Sequence, residues 1–271
     1  MNTPLVSVIV LSYGGRRARD TVQCVHSLLQ QSIADQIEII VADNHSEDDS
    51  IGILRNQLSD LESVSIVEVP QHRGFGRGNN YASEFAKGEY FLVINPDNIL
   101  EKEGLSKMVS ILETDDSIGL IAPKLVYPDG TIRDSFRPFP RAFDVCIKRT
   151  PLRHLFPNRM KEYTGGGIVP ETETDYDWIA GACFLMKSSL YKDLEGFDPR
   201  FFLFFEDIDL CRRIWDKGKR VVFSPNIIAK DGKERLSQGG LITFFTKKTV
   251  RFHIKSAFQY FWKWRGVPMP R

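Results

Sequence analysis

Short apolar, β-branched runs alternate with longer amphipathic stretches along the first part of the chain. Val6 to Leu11, Ile37 to Ala42, Val64 to Val69 and Tyr90 to Ile94 are runs of strand length, all but the third apolar almost throughout. Arg16 to Gln31, Asp48 to Leu58, Gly78 to Lys87 and Glu101 to Glu113 instead have the length and amphipathic character of helices. The rhythm predicts an α/β domain whose mostly parallel, Rossmann-like sheet is flanked by helices.

Ligands of such sheets bind beyond the carboxyl ends of the strands. The residues there are Ser12-Tyr13-Gly14-Gly15, Asp43-Asn44, the stretch from Gln71 to Asn80, and Asn95-Pro96-Asp97. Any one of these sets is explained equally by turn chemistry, because Gly, Asn, Asp and Pro dominate turns for backbone reasons. Four in succession on one rim, two of them with a carboxylate, predict a polar binding site. The string HRGFGRGNNYA carries Gly74, Gly76 and Gly78 spaced GxGxG after the third strand, where a dinucleotide fingerprint needs GxGxxG after the first; that reading is excluded. The glycines permit a tight strand-to-helix entry, and Arg73 and Arg77 offer positive charge to a diphosphate.

A second acidic cluster, Glu206-Asp207-Ile208-Asp209, follows the aromatic run Phe201 to Phe205 and opens a predicted helix through Lys217. Carboxylates in a first helical turn are favoured by the helix dipole alone. An apolar, aromatic surround also raises a carboxylate's proton affinity, as a general base requires.

With 42% hydrophobic and 26% charged residues in 271, the composition is that of an ordinary globular chain. The net charge of +1 conceals an asymmetry: residues 241–271 hold seven Lys/Arg and no acid, leaving 29 basic against 35 acidic residues in 1–240. Cys24, Cys146, Cys183 and Cys211 form no CxxC pair and keep no company of spaced histidines, which speaks against a zinc site or a disulfide framework. The N-terminal apolar run is too short for a membrane span and lacks the charged region of a signal peptide, so a cytoplasmic location is expected.

Six segments, VSVIVLSYGG, IIVADNHSEDDS, HRGFGRGNN, FLVINPDN, DWIAGACFLMKSS and GFDPRFFLFFEDIDLCRR, resemble in order and approximate spacing the inverting glycosyltransferases of family 2, which have the GT-A fold. The rhamnosyltransferase-like branch is the most similar. The resemblance covers about residues 5 to 230.

It implies that Asp97 holds Mg²⁺ or Mn²⁺ against the donor's diphosphate. That role suits a hard ion that takes oxygen ligands and neutralises a departing nucleoside diphosphate. The resemblance also implies that Ser12 and Tyr13 line the nucleoside pocket, Asp43 bonds the pyrimidine base and Asn80 faces the donor, with Arg73, Gly74, Phe75, Arg77 and Asn95 completing the donor side. Asp207 becomes the base, supported by Glu206, in a single displacement that inverts the sugar C1. Asp177, Gly181 and Ala182 match the acceptor side, although small residues within IAGACFLM are equally packing choices. Asp231 stands where many relatives carry a histidine and is expected as a second oxygen ligand; Gly14 and His72 stand where asparagine is common.

The implied donor is dTDP-L-rhamnose, with UDP-sugars as the alternative. The implied acceptor is polyprenyl-linked or an oligosaccharide of bacterial surface polysaccharide synthesis. Two other readings stand beside this one: a non-catalytic nucleotide-sugar-binding or scaffold protein of an assembly complex, prompted by the replaced histidine, and a metal-dependent hydrolase. Residues 135–170 are expected to form acceptor-side loops.

The expected organisation is a transferase domain over 1–240 and a basic, aromatic helical appendage over 241–271. In the appendage Phe244, Val250, Ile254, Phe258 and Phe261 approximate a stripe, and Lys247, Lys248, Arg251 and Lys255 supply a cationic face. Trp262 and Trp264 suit a water–lipid boundary. This reads as peripheral attachment to an anionic membrane at the inner face of the plasma membrane, with packing on the catalytic domain as the alternative. Nucleic acid is not an expected partner, since the charge sits in one terminal segment without a binding motif.

Overall fold

The computed structural model describes residues 3–148, 150–163, 169–232 and 248–270. Strands β1 (Val6–Ser12), β2 (Ile37–Asp43), β3 (Val64–Glu68) and β4 (Tyr90–Ile94) fall on the apolar runs and pair in parallel in the order β3-β2-β1-β4. Helices α1 (Gly15–Leu28), α2 (Ser50–Leu58) and α3 (Phe75–Ser83) connect them, and α4 (Gly104–Thr114) follows further along the chain. Two helix starts differ from expectation. α3 begins at Phe75 because the chain turns at Gly74, and α4 begins at Gly104 because residues 98–100 first form a short strand, β5 (Asn98–Leu100).

The rest of the chain adds β6 (Ile118–Val126), β7 (Phe136–Arg137), α5 (Ala142–Lys148), α6 (Pro157–Tyr163), β8 (Thr174–Asp175), β9 (Trp178–Ile179), β10 (Cys183–Lys187), α7 (Ser188–Asp193), α8 (Glu206–Asp216), β11 (Arg220–Asp231) and α9 (Lys248–Lys263). Beyond β4 the sheet becomes mixed. β10 lies antiparallel between β4 and β6, β6 and β11 are parallel, and β5 and β8 run antiparallel to β11. The parallel order therefore describes the N-terminal half only, since β10 returns from the rim directly and needs no helical crossover. Residues 135–170 carry β7, α5 and α6, more regular than the loops expected there.

Successive strand residues point to opposite faces and feed two cores. Val8, Ile39 and Leu92 pack beneath α1 and α4, while Ile9, Ile40 and Val93 pack with Phe184, Phe197, Phe201 and Phe223 on the other side. With both faces covered, the near-continuous apolar runs are accounted for.

α9 joins the second core: Ala257 and Tyr260 are buried in it, Phe261 and Trp264 pack against it, and Phe252 stacks on Phe202. Ile254 and Phe258 face outward, so the expected stripe is split between two sides of the helix. Phe244, Lys247 and the boundary at residue 240 lie outside the described residues. Among the described residues no helix is long and apolar enough to cross a membrane.

Candidate active site

The strand ends bring most of the expected donor residues to one rim. Ser12 and Asp43 are register partners at the ends of β1 and β2, both buried, and the Ser12 hydroxyl has no partner among the described residues. The Asp43 carboxylate is held by the Ser46 amide at 2.9 Å and hydroxyl at 2.6 Å, and the Gly14 amide donates to that hydroxyl at 2.9 Å. Tyr13 is half exposed and stacks on His72 with ring centroids 4.2 Å apart and planes at 9°. An aromatic surface with a carboxylate beside it is equipped for a flat, hydrogen-bonding base.

Gly74 fixes how this rim meets the catalytic loop. Its backbone has φ 96° and ψ −176°, a region essentially restricted to glycine, and a Cβ there would overlap the carbonyl oxygen of Phe202. That closeness lets the Phe75 amide donate to Phe202 O at 2.9 Å. Of the two arginines nearby, Arg73 donates to Gln71 at 2.7 Å and Arg77 to Pro199 O at 2.8 Å. Asn80 is not brought to the donor rim. Its amide donates to Phe197 O while its carbonyl accepts from Tyr191 and the Phe197 amide, so both ends fasten the 191–197 turn.

The Asn95-Pro96-Asp97 corner projects Asp97 beside a cavity of about 200 Å³ lined also by Arg16, Arg17, Asp20, Gln23 and Gly232. Arg17 of α1 pairs with Asp97 at 2.6 Å. Asp231 lies at the neighbouring end of β11, opposite Asn98, but is buried and pairs with Arg133 at 2.6 Å. Among the described residues no group of three or more His, Cys, Asp or Glu gathers as a metal cage. The donor set fits a hard divalent ion anchored by Asp97 and completed by substrate phosphates, the way Mg²⁺ is usually held. Arg17 and Arg133 were not singled out from sequence. One sits in a predicted amphipathic helix and the other in an irregular stretch, and only folding sets them against these carboxylates.

Glu206 and Asp207 open α8. Burial pushes the Glu206 carboxyl well above the ordinary carboxylate range, and the neighbouring Asp207 charge adds to it. Burial also raises Asp207, but the Gly181 and Ile208 amides and the charge of Arg133 pull it back. Those amides donate to Asp207 at 3.2 and 2.8 Å, whereas Glu206 Oε2 has no partner among the described residues. Glu206 is therefore the more strongly protonated of the two, and the surrounding amides and Arg133 favour the charged form of Asp207.

Gly181 and Ala182 connect the two carboxylate sites. Ala182 O accepts from the Asn95 amide at 2.7 Å and from Asn98 Nδ2 at 3.2 Å, while the adjacent Gly181 amide holds Asp207. Asp177 lines a separate cavity with Phe139, Arg141 and Tyr163, and its carboxylate accepts from the Phe139 amide at 2.7 Å.

The base-bearing turn is strained. Phe204 and Phe205 both have φ 69°, an uncommon conformation for a bulky residue, which persists only where the surroundings over-determine it. α9 supplies that constraint: His253 packs on both rings, Tyr260 on Phe205, and Ser256 donates to Leu203 O at 2.9 Å. Further along α8, the fully buried Asp209 accepts from Arg213, Lys263 and Trp264 at 2.7–2.9 Å. Sequence gave no signal of this anchoring.

A mixed sheet with a carboxylate corner after β4 and an acid pair at the head of α8, Glu206 buried and Asp207 partly so, defines a GT-A glycosyltransferase domain. The profile of glycosyl transferase family 2 matches residues 7–194, and the chain belongs to that family. It is 26% identical to the rhamnosyltransferase WbbL of Escherichia coli (strain K12) over 272 residues, covering 94% of this chain and 92% of the relative. It is 23% identical over 203 residues to an N-acetylglucosaminyl-diphospho-decaprenol L-rhamnosyltransferase of Mycobacterium tuberculosis (strain ATCC 25618 / H37Rv), covering 70% and 64%. Among solved structures, the mannosyltransferase PcManGT from Pyrobaculum calidifontis, in complex with GDP-Man and Mn²⁺, superposes with TM-score 0.63 at 19% identity, covering all of this chain and 67% of that one. That last likeness is one of fold.

Proposed function

We propose that this family 2 glycosyltransferase moves a sugar, with inversion, from a nucleotide donor to a lipid-linked or glycan acceptor of bacterial surface polysaccharide synthesis, with Asp207 as the base. The observation that carries the assignment is the Gly181–Ala182 pair, which holds the base with the Gly181 amide and the Asn95–Asn98 corner with the Ala182 carbonyl. Base and diphosphate corner are thereby kept in register, as a single displacement needs.

Asp207 takes the proton from an acceptor hydroxyl, and that oxygen attacks the sugar C1 from the face opposite the diphosphate. Glu206, neutral, adds no second charge beside it. A divalent ion held by Asp97 would supply neutralisation of the leaving diphosphate. Tyr13, Ser12 and Asp43 hold the base and nucleoside. dTDP-L-rhamnose is our first choice of donor, supported by the rhamnosyltransferase relatives, and a UDP-sugar the second. A polyprenyl-linked acceptor is supported by the name of the mycobacterial relative. We place the protein peripherally at the inner face of the plasma membrane, supported by the exposed basic and aromatic side of α9.

Asp207→Asn should fold and bind donor but lose transfer; near-wild-type turnover by this variant would sink the assignment. Donor and metal are tested by calorimetric titration with dTDP-L-rhamnose and UDP-sugars, with Mn²⁺ and with chelator, beside Asp97→Ala.

The non-catalytic reading draws support from the ion pairs Arg17–Asp97 and Arg133–Asp231, which neutralise both carboxylates without a metal. Against it stands the Glu206–Asp207 pair, with Glu206 buried beside a second carboxylate, a costly arrangement that a pure binder has no use for.

A further inference from the structure

Charge and exposed apolar surface converge on two segments far apart in sequence. Residues 142–163 hold five Lys/Arg against two Asp/Glu, and residues 241–271 seven against none, which leaves 24 basic and 33 acidic residues in the rest of the chain. Apolar exposure divides the same way. Of eleven large apolar side chains exposed among the described residues, eight belong to these segments, including Phe143, Leu155, Phe156, Phe258, Trp262 and Met269. Leu155 is 71% exposed and Phe258 68%, values that a monomeric domain seldom collects in one region without a partner.

The two segments meet in the fold. α5 packs against α9, and Met269 lines a cavity of about 140 Å³ together with Arg141, Tyr163 and Asp177. On the outer side of α9, Lys248, Arg251, Lys255 and Arg265 are exposed with Ile254, Phe258 and Trp262, and the helix carries no acid. Phe258 stacks on Trp262 at 6.0 Å, and the Arg265 guanidinium lies 3.9 Å over the Trp262 ring.

The partner must satisfy both properties. A second copy meeting this face about a two-fold axis would set like charges against each other. Nucleic acid would pair the arginines but leave Leu155, Ile254 and Met269 without an apolar contact. An anionic bilayer satisfies both: its headgroups meet the Lys and Arg side chains, and its acyl boundary takes the aromatic and aliphatic ones. We propose that α5–α6 and α9 together form one face that docks on an anionic membrane, so that Phe143, Leu155 and Phe156 contact lipid and the tail does not act alone. On the functional reading above, the cavity at Asp177 opens beside this face, where the polyprenyl part of an acceptor can stay in the bilayer while its sugar enters the site.

The test is flotation of the full chain with phosphatidylcholine vesicles with and without phosphatidylglycerol. Three proteins are compared: wild type, Leu155→Glu/Phe156→Glu and Phe258→Glu/Trp262→Glu. Leu155→Ser/Phe156→Ser serves as a milder second variant, and thermal unfolding checks each fold. Wild type should float with the anionic vesicles only, and each glutamate pair should lower the bound fraction about fivefold or more. The proposal is overturned if wild type does not float, if the 155/156 variants float as well as wild type, or if wild type is a vesicle-independent dimer that these substitutions dissociate. Donor calorimetry on the same proteins reports the transferase reading separately, because none of these residues lies on the donor rim.

Discussion

The contact between the donor loop and the catalytic loop rests on one glycine, and its replacement has a calculable effect. Gly74→Ala adds a Cβ that overlaps Phe202 O, at a backbone conformation of φ 96° and ψ −176°. Forcing alanine into that conformation costs about 1–3 kcal/mol. The loops must also separate, which breaks the 2.9 Å bond from the Phe75 amide to Phe202 O and strands a polar group, for about 1–3 kcal/mol more. A total near 4 kcal/mol corresponds to a fall in Tm of about 8–16 °C for a domain of this size. Gly130→Ala is the control. Gly130 also has positive φ, at 81°, but nothing lies within 4 Å of its would-be Cβ, so only about 1 kcal/mol, or roughly 2–4 °C, is expected. Thermal unfolding of both variants by circular dichroism at one scan rate makes the comparison. A Gly74→Ala midpoint within about 2 °C of the control would refute the argument that close approach at this point holds the two loops together.

Other consequences are open to measurement. Glu206 binds its proton more tightly folded than unfolded, so it withdraws stability progressively as pH rises above its ordinary 4.5. Glu206→Gln removes that slope and should gain on wild type with rising pH in denaturant titrations, while parallel pH profiles would contradict a buried, protonated Glu206. Arg17→Met frees Asp97 from its 2.6 Å ion pair and should tighten binding of Mn²⁺ alone about tenfold by calorimetry, whereas unchanged or weaker binding would remove Asp97 as the anchor. Lys263→Met leaves the fully buried Asp209 with Arg213 and Trp264 only and should cost about 1–3 kcal/mol of stability, with Lys263→Arg recovering most of it. Equal destabilisation by both substitutions would mean that the charge at 263 is not what matters.

The pattern of apolar runs was enough to locate β1, β2, β3 and β4 and to predict a mostly parallel sheet, because β1, β2 and β4, covered on both faces, must be apolar almost throughout. The same information placed Asp43 and Asp97 on one rim, since side chains that follow parallel strands emerge at one edge of the sheet. Glu206 and Asp207 were legible from their aromatic flank. The antiparallel entry of β10 was not, for its apolar run CFLMK has no feature that sets its direction. Asn80 shows a different limit: an asparagine carries the same groups whether it meets a ligand or a turn, and here Tyr191 and Phe197 engage both ends.

The sequence by itself determined the layer architecture, the rim and the identity of its carboxylates, because burial pattern and turn chemistry are local properties of the chain. Only the tertiary structure decided which cations stand against those carboxylates, that Glu206 holds its proton more strongly than Asp207, and that α9 braces the turn before them from its inner side. These depend on desolvation and on contacts between residues tens of positions apart, such as Arg133 with Asp231 and Lys263 with Asp209, which no local pattern encodes.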